Sequence, residues 1–275
     1  MDKTWDKLHQ PCPLCKSSDA VGINEDDSAK CFSCGEFMPS YTKACGGKDM
    51  QSTTTITQTK QPDVVGEGKF SALTDRKISM ATAQKYGVKC VHDLQGNVVK
   101  HFYPYFNGHE LSATKVRNIK DKNFFVSGSY NDTGLFGQQL FKSGKYVTVT
   151  EGECDAMATY ELLGSKWAVV SIKRGANGAV RDIKESLEFF DDFENVIIAF
   201  DKDKAGQEAS IKVARLFKPG KARIVTLPNG WKDPNDMLRN NKHKEFVESW
   251  WASKVYTPSG VINVSEQREK FHNRE

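Results

Sequence analysis

Four apolar runs, "KYVTVT", "WAVVSI", "NVIIAF" and "ARIVTL", recur from residue 145 onward, each separated from the next by a longer stretch. None sustains an alternation of apolar with charged residues, as a strand with one wet face would. Three intervening stretches, "CDAMATYELLG", "NGAVRDIKESLEFF" and "KAGQEASIKVARLF", have helical character. Strands buried on both faces and joined by helices run parallel, so this half of the chain is expected to form a parallel α/β sheet. Such a sheet also dictates where chemistry sits, because ligands bind in the crevice outside the carboxyl ends of its strands.

Acidic residues gather at those ends. "TVTEGECDAM" places Glu151 at the end of the first strand and Asp155 at the opening of the next helix. "FDKDKAG" places Asp201 and Asp203 at the end of the third, and "GWKDPNDML" places Asp233 and Asp236 after the fourth. Carboxylates packed together raise one another's pKa, and a divalent cation removes that penalty. An all-oxygen set suits Mg²⁺ or Mn²⁺ rather than zinc. In extended chain Asp201 and Asp203 point to the same side, so both would serve one ion. The same stretch also reads as a polar strand–helix turn, and Asp236 as the cap of the helix "DMLRN".

The chain has 275 residues, enough for one sizeable core and a smaller module. Its net charge of +4 is compatible with a polyanion partner without requiring one. No run approaches the roughly 20 apolar residues of a membrane span, and the N-terminus lacks a signal-peptide core. A cytoplasmic or equivalent reducing compartment is expected, where the seven cysteines serve metal or structure rather than disulfides. Cys12-Pro-Leu-Cys15 and Cys31-Phe-Ser-Cys34 form two knuckles that together supply the tetrahedral four-sulfur shell zinc favours. His9 and Cys45 lie nearby but are not needed to close it, and Cys90 and Cys154 read as buried small residues.

The organisation that follows is a zinc ribbon over residues 1–45, a flexible Gly/Ser/Thr/Gln-rich linker over 46–63, a strand-rich basic segment over 64–144, an α/β part over 145–255 and a polar tail over 256–275. The linker would span roughly 20–25 Å as a flexible chain. "SMATAQKYGV" reads as a short helix closed by Gly87, and Asn107-Gly108 as a hairpin turn. "KHFYPYF" and "KVRNIKDKNFF" interleave cations with rings, which suits nucleic acid. Phe102, Tyr103, Tyr105 and Phe106 fit a hairpin core better, whereas Lys115, Arg117 and Lys122 are candidates for nucleotide contact. In "KRGANG", Lys173 and Arg174 flank backbone amides that would cradle phosphate, although a plain turn explains the stretch nearly as well.

The E-G-x-x-D turn followed by D-x-D after an apolar strand resembles the Toprim domain of primases, topoisomerases and some nucleases. "FSALTDRKIS", "SATKVRNIKDKNF", "LFG" and "VTEGECDAM" further resemble the primase half of bifunctional phage primase–helicases, across nearly the whole chain. The architecture this implies is an α/β Toprim core with a mostly parallel sheet, preceded by an α+β basic subdomain and a small β zinc ribbon. The resemblance implies a DNA primase that joins ribonucleoside triphosphates on a single-stranded DNA template, with catalytic Mg²⁺ (or Mn²⁺) and structural Zn²⁺. Glu151, Asp155, Asp201, Asp203 and Asp233 fall on the family's acidic residues, and Lys115 and Lys122 on basic residues of its nucleotide-binding region. Of these, Glu151, Asp201 and Asp203 would hold Mg²⁺. A replicative helicase domain in cis and a DNA polymerase are the implied partners, and the host cytoplasm the implied location. The sequence has no G-x-x-x-x-G-K-[ST] loop, and its tail resembles the start of the linker toward a helicase domain, so a truncated product is expected. Asp27-Ser28-Ala29-Lys30 stands where some relatives carry a template-reading histidine, so zinc binding carries over but a recognition sequence does not. A Toprim nuclease and a non-catalytic zinc-ribbon DNA-binding or loading factor are the alternatives.

Freshly purified protein is expected to carry one zinc per chain. Cys31→Ser should remove it and unfold the head while residues 64–245 keep their cooperative melt. Elemental analysis and circular dichroism check both outcomes.

Overall fold

The computed structural model describes residues 5–33, 36–45, 68–121 and 123–258. The chain divides into two compact units, Met1–Thr59 and Lys60–Glu275. The expected linker over 46–63 and the tail beyond residue 258 lie outside the described residues.

The small unit is a four-stranded antiparallel sheet, β1 (Lys7–Gln10), β2 (Val21–Ile23), β3 (Ala29–Cys31) and β4 (Phe37–Met38), followed by the short helix α1 (Tyr41–Ala44). Its core is little more than Val21, Ile23, Ala29 and Met38 around the buried Cys12 and Cys31. Six such side chains are too few to stabilise a fold of this size, which is why small modules recruit metals or disulfides. Asp27 fixes the turn before β3: its carboxylate accepts from Ser40 Oγ at 2.5 Å and from Thr42 Oγ1 at 2.9 Å.

The large unit holds two sheets. Helix α2 (Met80–Tyr86) is capped by Ser79 and closed by Gly87 at φ 74°, a left-handed position that favours glycine. It leads into the antiparallel sheet β5 (Lys89–His92), β6 (Val98–Asn107), β7 (Glu110–Asn118) and β8 (Phe124–Gly128), with Gly108 at φ 58° in the tight turn between β6 and β7. Phe102, Tyr103 and Tyr105 are buried, so these rings are hairpin core.

The second sheet is built from β9 (Gly144–Thr150), β10 (Ala168–Ser171), β11 (Phe193–Ala199), β12 (Ala222–Ile224) and β13 (Lys254–Val255). Their spatial order is β10-β9-β11-β12-β13, parallel throughout except for the antiparallel edge strand β13. The crossovers are α3 (Glu153–Leu162), α4 (Gly175–Glu185) with α5 (Leu187–Asp191), and α6 (Lys204–Ala214), while α7 (Pro234–Arg239) and α8 (His243–Trp251) lie between β12 and β13. The single helix expected over "NGAVRDIKESLEFF" is thus broken at Ser186, and the run "ARIVTL" is strand only over its first three residues. Val169, Ile197 and Ala199 pack with α3, α7 and α8, while Val147, Val149, Val170, Val196 and Ile198 pack with α4, α5 and α6. Both faces are covered, and this accounts for the missing alternation in the sequence.

One core cluster spans the two sheets, bringing Tyr86, Tyr103, Tyr105 and Phe136 together with Met157, Ala158 and Val169. Tyr86 OH donates to the Val169 carbonyl at 2.9 Å inside that cluster. The antiparallel sheet is therefore held at a set position against the α/β layer, which makes a cleft between them possible.

Trp250 is 1% exposed and donates its indole N–H to Thr148 Oγ1 at 3.0 Å, tying α8 to the interior strand β9. Trp250→Ala is expected to cost about 3–5 kcal/mol by chemical denaturation, the range for losing a large buried ring.

Candidate functional site

In the small unit the Cys12, Cys15 and Cys31 sulfurs all lie within 4.8 Å of one another. Cys15 Sγ stands 3.7 Å from Cys31 Sγ. A tetrahedron of roughly 2.3 Å zinc–sulfur bonds has edges of about 3.8 Å, so these three thiols fit such a shell. They are the one group of this kind among the described residues, and Cys34 lies outside them. Cys45 is exposed beside Tyr41, whose hydroxyl pKa is pushed up to about 12 by burial and by the neighbouring thiol.

In the large unit the carboxyl ends of β9 and β11 and the start of α7 meet the inner face of β7 at a cavity of about 360 Å³. Glu151, Asp155, Asp201 and Asp233 line one wall, and Arg76, Lys115 and Arg117 line the other.

Backbone amides hold four of the acidic side chains, while Asp201 is paired with Lys232 instead. Glu151 accepts from Ala176 N at 3.0 Å, at the start of α4, and from Asp201 N at 3.4 Å. Asp155 accepts from Asn235 N at 3.2 Å. Asp233 caps α7 through the Asp236 amide at 2.7 Å, so the cap of this helix is Asp233 and not Asp236. Asp203 caps α6 through the Gly206 amide at 2.9 Å and is exposed, outside the lining of the cavity but near enough for its charge to act on Glu151 and Asp201. A methyl group at Gly206 would lie 3.0 Å from Glu151 Oε2 and collide with the Asp201 carbonyl, so only glycine lets α6 start this close.

The crowding shows in the protonation equilibria. Burial, then the charge of Asp201, raises the Glu151 pKa. Burial, then Asp233 and Asp201, raises Asp155 well above the usual carboxylate range. Burial also raises Asp201, although the Lys232 ammonium at 2.9 Å pulls it back. Among the described residues no three carboxylate oxygens converge within 4.8 Å. The acidic wall is an all-oxygen set with excess negative charge and one lysine as counter-ion, which is the chemistry a hard divalent cation suits.

The basic wall is partly paired. Lys115 Nζ lies 2.7 Å from Glu153 Oε1, and Tyr105 OH donates to the same oxygen at 2.6 Å. Lys115 and Arg117 both lie against the exposed Phe124 ring, at 4.9 and 5.3 Å from its centroid. Arg117 Nε is buried without a hydrogen-bond partner. Lys122 lies outside the described residues.

Two candidates face elsewhere. Lys173 is 3% exposed, with Nζ donating to the Thr133 carbonyl at 2.5 Å. Arg174 is bound to Asp182, Glu185 and Asn131. Neither lines the cavity, because both stitch the start of α4 to the 131–133 loop and to the far end of their own helix. Arg76 and Lys232 line the cavity but were not among the sequence candidates. Arg76 precedes α2, and its turn is tied to α7 by Asn235, whose side chain donates to the Arg76 carbonyl at 2.9 Å. The only sequence cue for Lys232 is its place beside Asp233.

Fold and cleft define a Toprim-like protein, and residues 148–238 match the family described as Toprim-like. The chain is 34% identical, with a TM-score of 0.62, to the primase fragment of the bacteriophage T7 primase–helicase protein, covering 89% of this chain and 99% of that one. It belongs to the family of these phage primase fragments. The DNA helicase/primase of Enterobacteria phage T3 is 34% identical over 269 residues, 96% of this chain and 46% of that protein, so the chain spans about half of that relative. A further match, 37% identical with a TM-score of 0.62 over 69% of this chain and 94% of the other, comes from bacteriophage T7 lagging-strand DNA polymerase interacting with primase domains bound to an RNA/DNA hybrid and dTTP.

A carboxyl with a raised folded pKa binds its proton more tightly in the folded chain than in the unfolded one. Stability of chelator-treated protein should therefore fall as pH rises from about 4 through the raised values of Glu151, Asp155 and Asp201. Asp155→Asn keeps an acceptor for Asn235 N–H and removes one of these charges. It is expected to raise the melting temperature near neutral pH by a few degrees, about 2–4 °C per kcal/mol for a domain of this size, and to flatten its pH dependence. Calorimetry across a pH series checks the sign.

Proposed function

We propose that this chain is a primase that joins ribonucleoside triphosphates into short RNA on a single-stranded DNA template. The observation that carries this is the cavity's division into a carboxylate wall and a cationic wall, in a chain of the phage primase family. A nucleotide triphosphate needs both, metal-bridged phosphate oxygens on one side and direct positive charge on the other.

Asp201 would be the central metal ligand, with Glu151 and Asp233 beside it and Asp203 outside the cavity lining. Mg²⁺ bound there would polarise the α-phosphate and stabilise the departing pyrophosphate. Glu151 is kept in place by two backbone amides and lines the cavity, so it would serve there without side-chain rearrangement. Asp155 would act behind Asp233, sharing charge with it rather than contacting substrate. Lys115 would meet triphosphate oxygens from the opposite wall, held in register by the buried Glu153 carboxylate. Arg117 would direct its unpartnered Nε to the same phosphates. Phe124 offers an exposed ring on which a base would stack. Removing Lys115 alone would strand the buried Glu153 charge, so its contribution is best isolated in the pair Lys115→Met with Glu153→Gln.

In the small unit, zinc held by Cys12, Cys15, Cys31 and Cys34 would staple the four strands, and the ribbon would help select the template site. A helicase domain in cis and a DNA polymerase are the partners we propose, on the names of the relatives. The host-cell cytoplasm is the corresponding location.

Incubation with mixed single-stranded DNA, labelled ribonucleotides and Mg²⁺ should yield new short RNA. Asp201→Ala should lower synthesis at least about 100-fold, at or beyond the loss typical of residues that only support metal ligands, with the fold intact. Shortened template without new RNA would replace the primase reading with a nuclease.

A further inference from the structure

The acidic wall contains a cation of its own. Lys232 Nζ lies 2.9 Å from Asp201 Oδ2, the carboxylate at the centre of the proposed metal site. Its backbone is pinned, because the Lys232 carbonyl accepts from Lys202 N at 2.8 Å, one residue beyond Asp201. Its side chain is 58% exposed, against 14% for Asp201. The ammonium therefore sits at the end of four methylenes on a fixed anchor, with room to turn toward solvent or toward the cavity, which Lys232 also lines.

Asp201, Glu151, Asp155 and Asp233 share this cavity. Without a counter-ion their repulsion would drive them apart or protonate them. A lysine is suited to be a temporary one, being a mobile point charge rather than the rigid fork of an arginine. A divalent cation on Asp201 would repel an ammonium a few ångströms away, and the lysine would have to leave that oxygen. The nearest new source of negative charge would be the triphosphate that arrives with the metal.

We propose that Lys232 is an exchangeable counter-ion: its ammonium holds Asp201 until a divalent cation takes that carboxylate, and it then contacts the phosphates of the bound nucleotide. This rests on the metal reading of the cleft given above. It assigns Lys232 two opposite effects, competition with the metal in the absence of nucleotide and attraction of nucleotide in the presence of metal.

The test is a Mn²⁺ titration of the full chain by electron paramagnetic resonance without nucleotide, paired with ribonucleotide KM at saturating Mg²⁺. Lys232→Met should bind Mn²⁺ up to about fivefold more tightly, the upper end for breaking a partly exposed ion pair. The same variant should show a ribonucleotide KM raised about tenfold, as for loss of one charged contact. Lys232→Arg keeps the charge in a rigid fork and should hold Mn²⁺ affinity at or below the wild-type value, and circular dichroism should show all variants folded. Wild-type protein that binds no Mn²⁺ would overturn the metal reading itself. Wild-type binding with no tightening in Lys232→Met would overturn the counter-ion role alone. Tighter Mn²⁺ binding with an unchanged KM would overturn the transfer to phosphate.

Discussion

Like charges do not gather without help, and the large unit is organised around four carboxylates that share one cavity. Two strands of the parallel sheet deliver Glu151 and Asp201 to its carboxyl edge, and the start of α7 delivers Asp233 beside them. Backbone amides make this tolerable. Glu151 sits over the first turn of α4, Asp203 caps α6 and Asp233 caps α7, so each anion lies at a helix start where the macrodipole favours it. Glu151 and Asp233 thus serve both the helix starts and the acidic wall, so folding and chemistry share part of one set of side chains. Burial, with the neighbouring carboxylates adding to it, still leaves Glu151, Asp155 and Asp201 with raised pKa values, so the helix starts and Lys232 offset only part of the cost.

The opposite wall depends on how the two sheets are joined. Tyr86 reaches from α2 to β10, Tyr105 from β6 to Glu153, and Asn235 from α7 to Arg76. These contacts set the separation between the acidic and the basic side chains. Lys115 is fixed by an acid of the α/β layer, so the position of the cationic wall is registered against the carboxylates rather than left to a flexible chain.

Much of this was legible in the sequence. Non-alternating strands report burial on both faces wherever they occur, and all four expected strands are present. The Ser79 cap, the Gly87 stop and the Asn107-Gly108 turn follow local rules that need no tertiary context. The cysteine spacing brought Cys12, Cys15 and Cys31 together, and a knuckle such as Cys12–Cys15 is a local object. Readings that depended on which way a side chain faces were harder. Lys173 and Arg174 follow a sheet strand, as a phosphate cradle would, yet their charge is consumed by Asp182, Glu185 and the 131–133 loop. Arg76 is one cation among many in the sequence and enters the cavity only because its turn docks on α7.

The sequence by itself determined the parallel α/β sheet, the edge at which its acids assemble and the grouping of Cys12, Cys15 and Cys31 in the small unit. Each is a matter of period or spacing along a continuous chain. Tertiary structure alone decided which cations oppose those acids, because that depends on how one sheet is packed against another. It also separated Asp201, in the cavity and paired with Lys232, from Asp203, outside the lining and capping a helix. The two lie one residue apart in the chain, and what divides them is where α6 begins, an event set by the close approach that Gly206 permits.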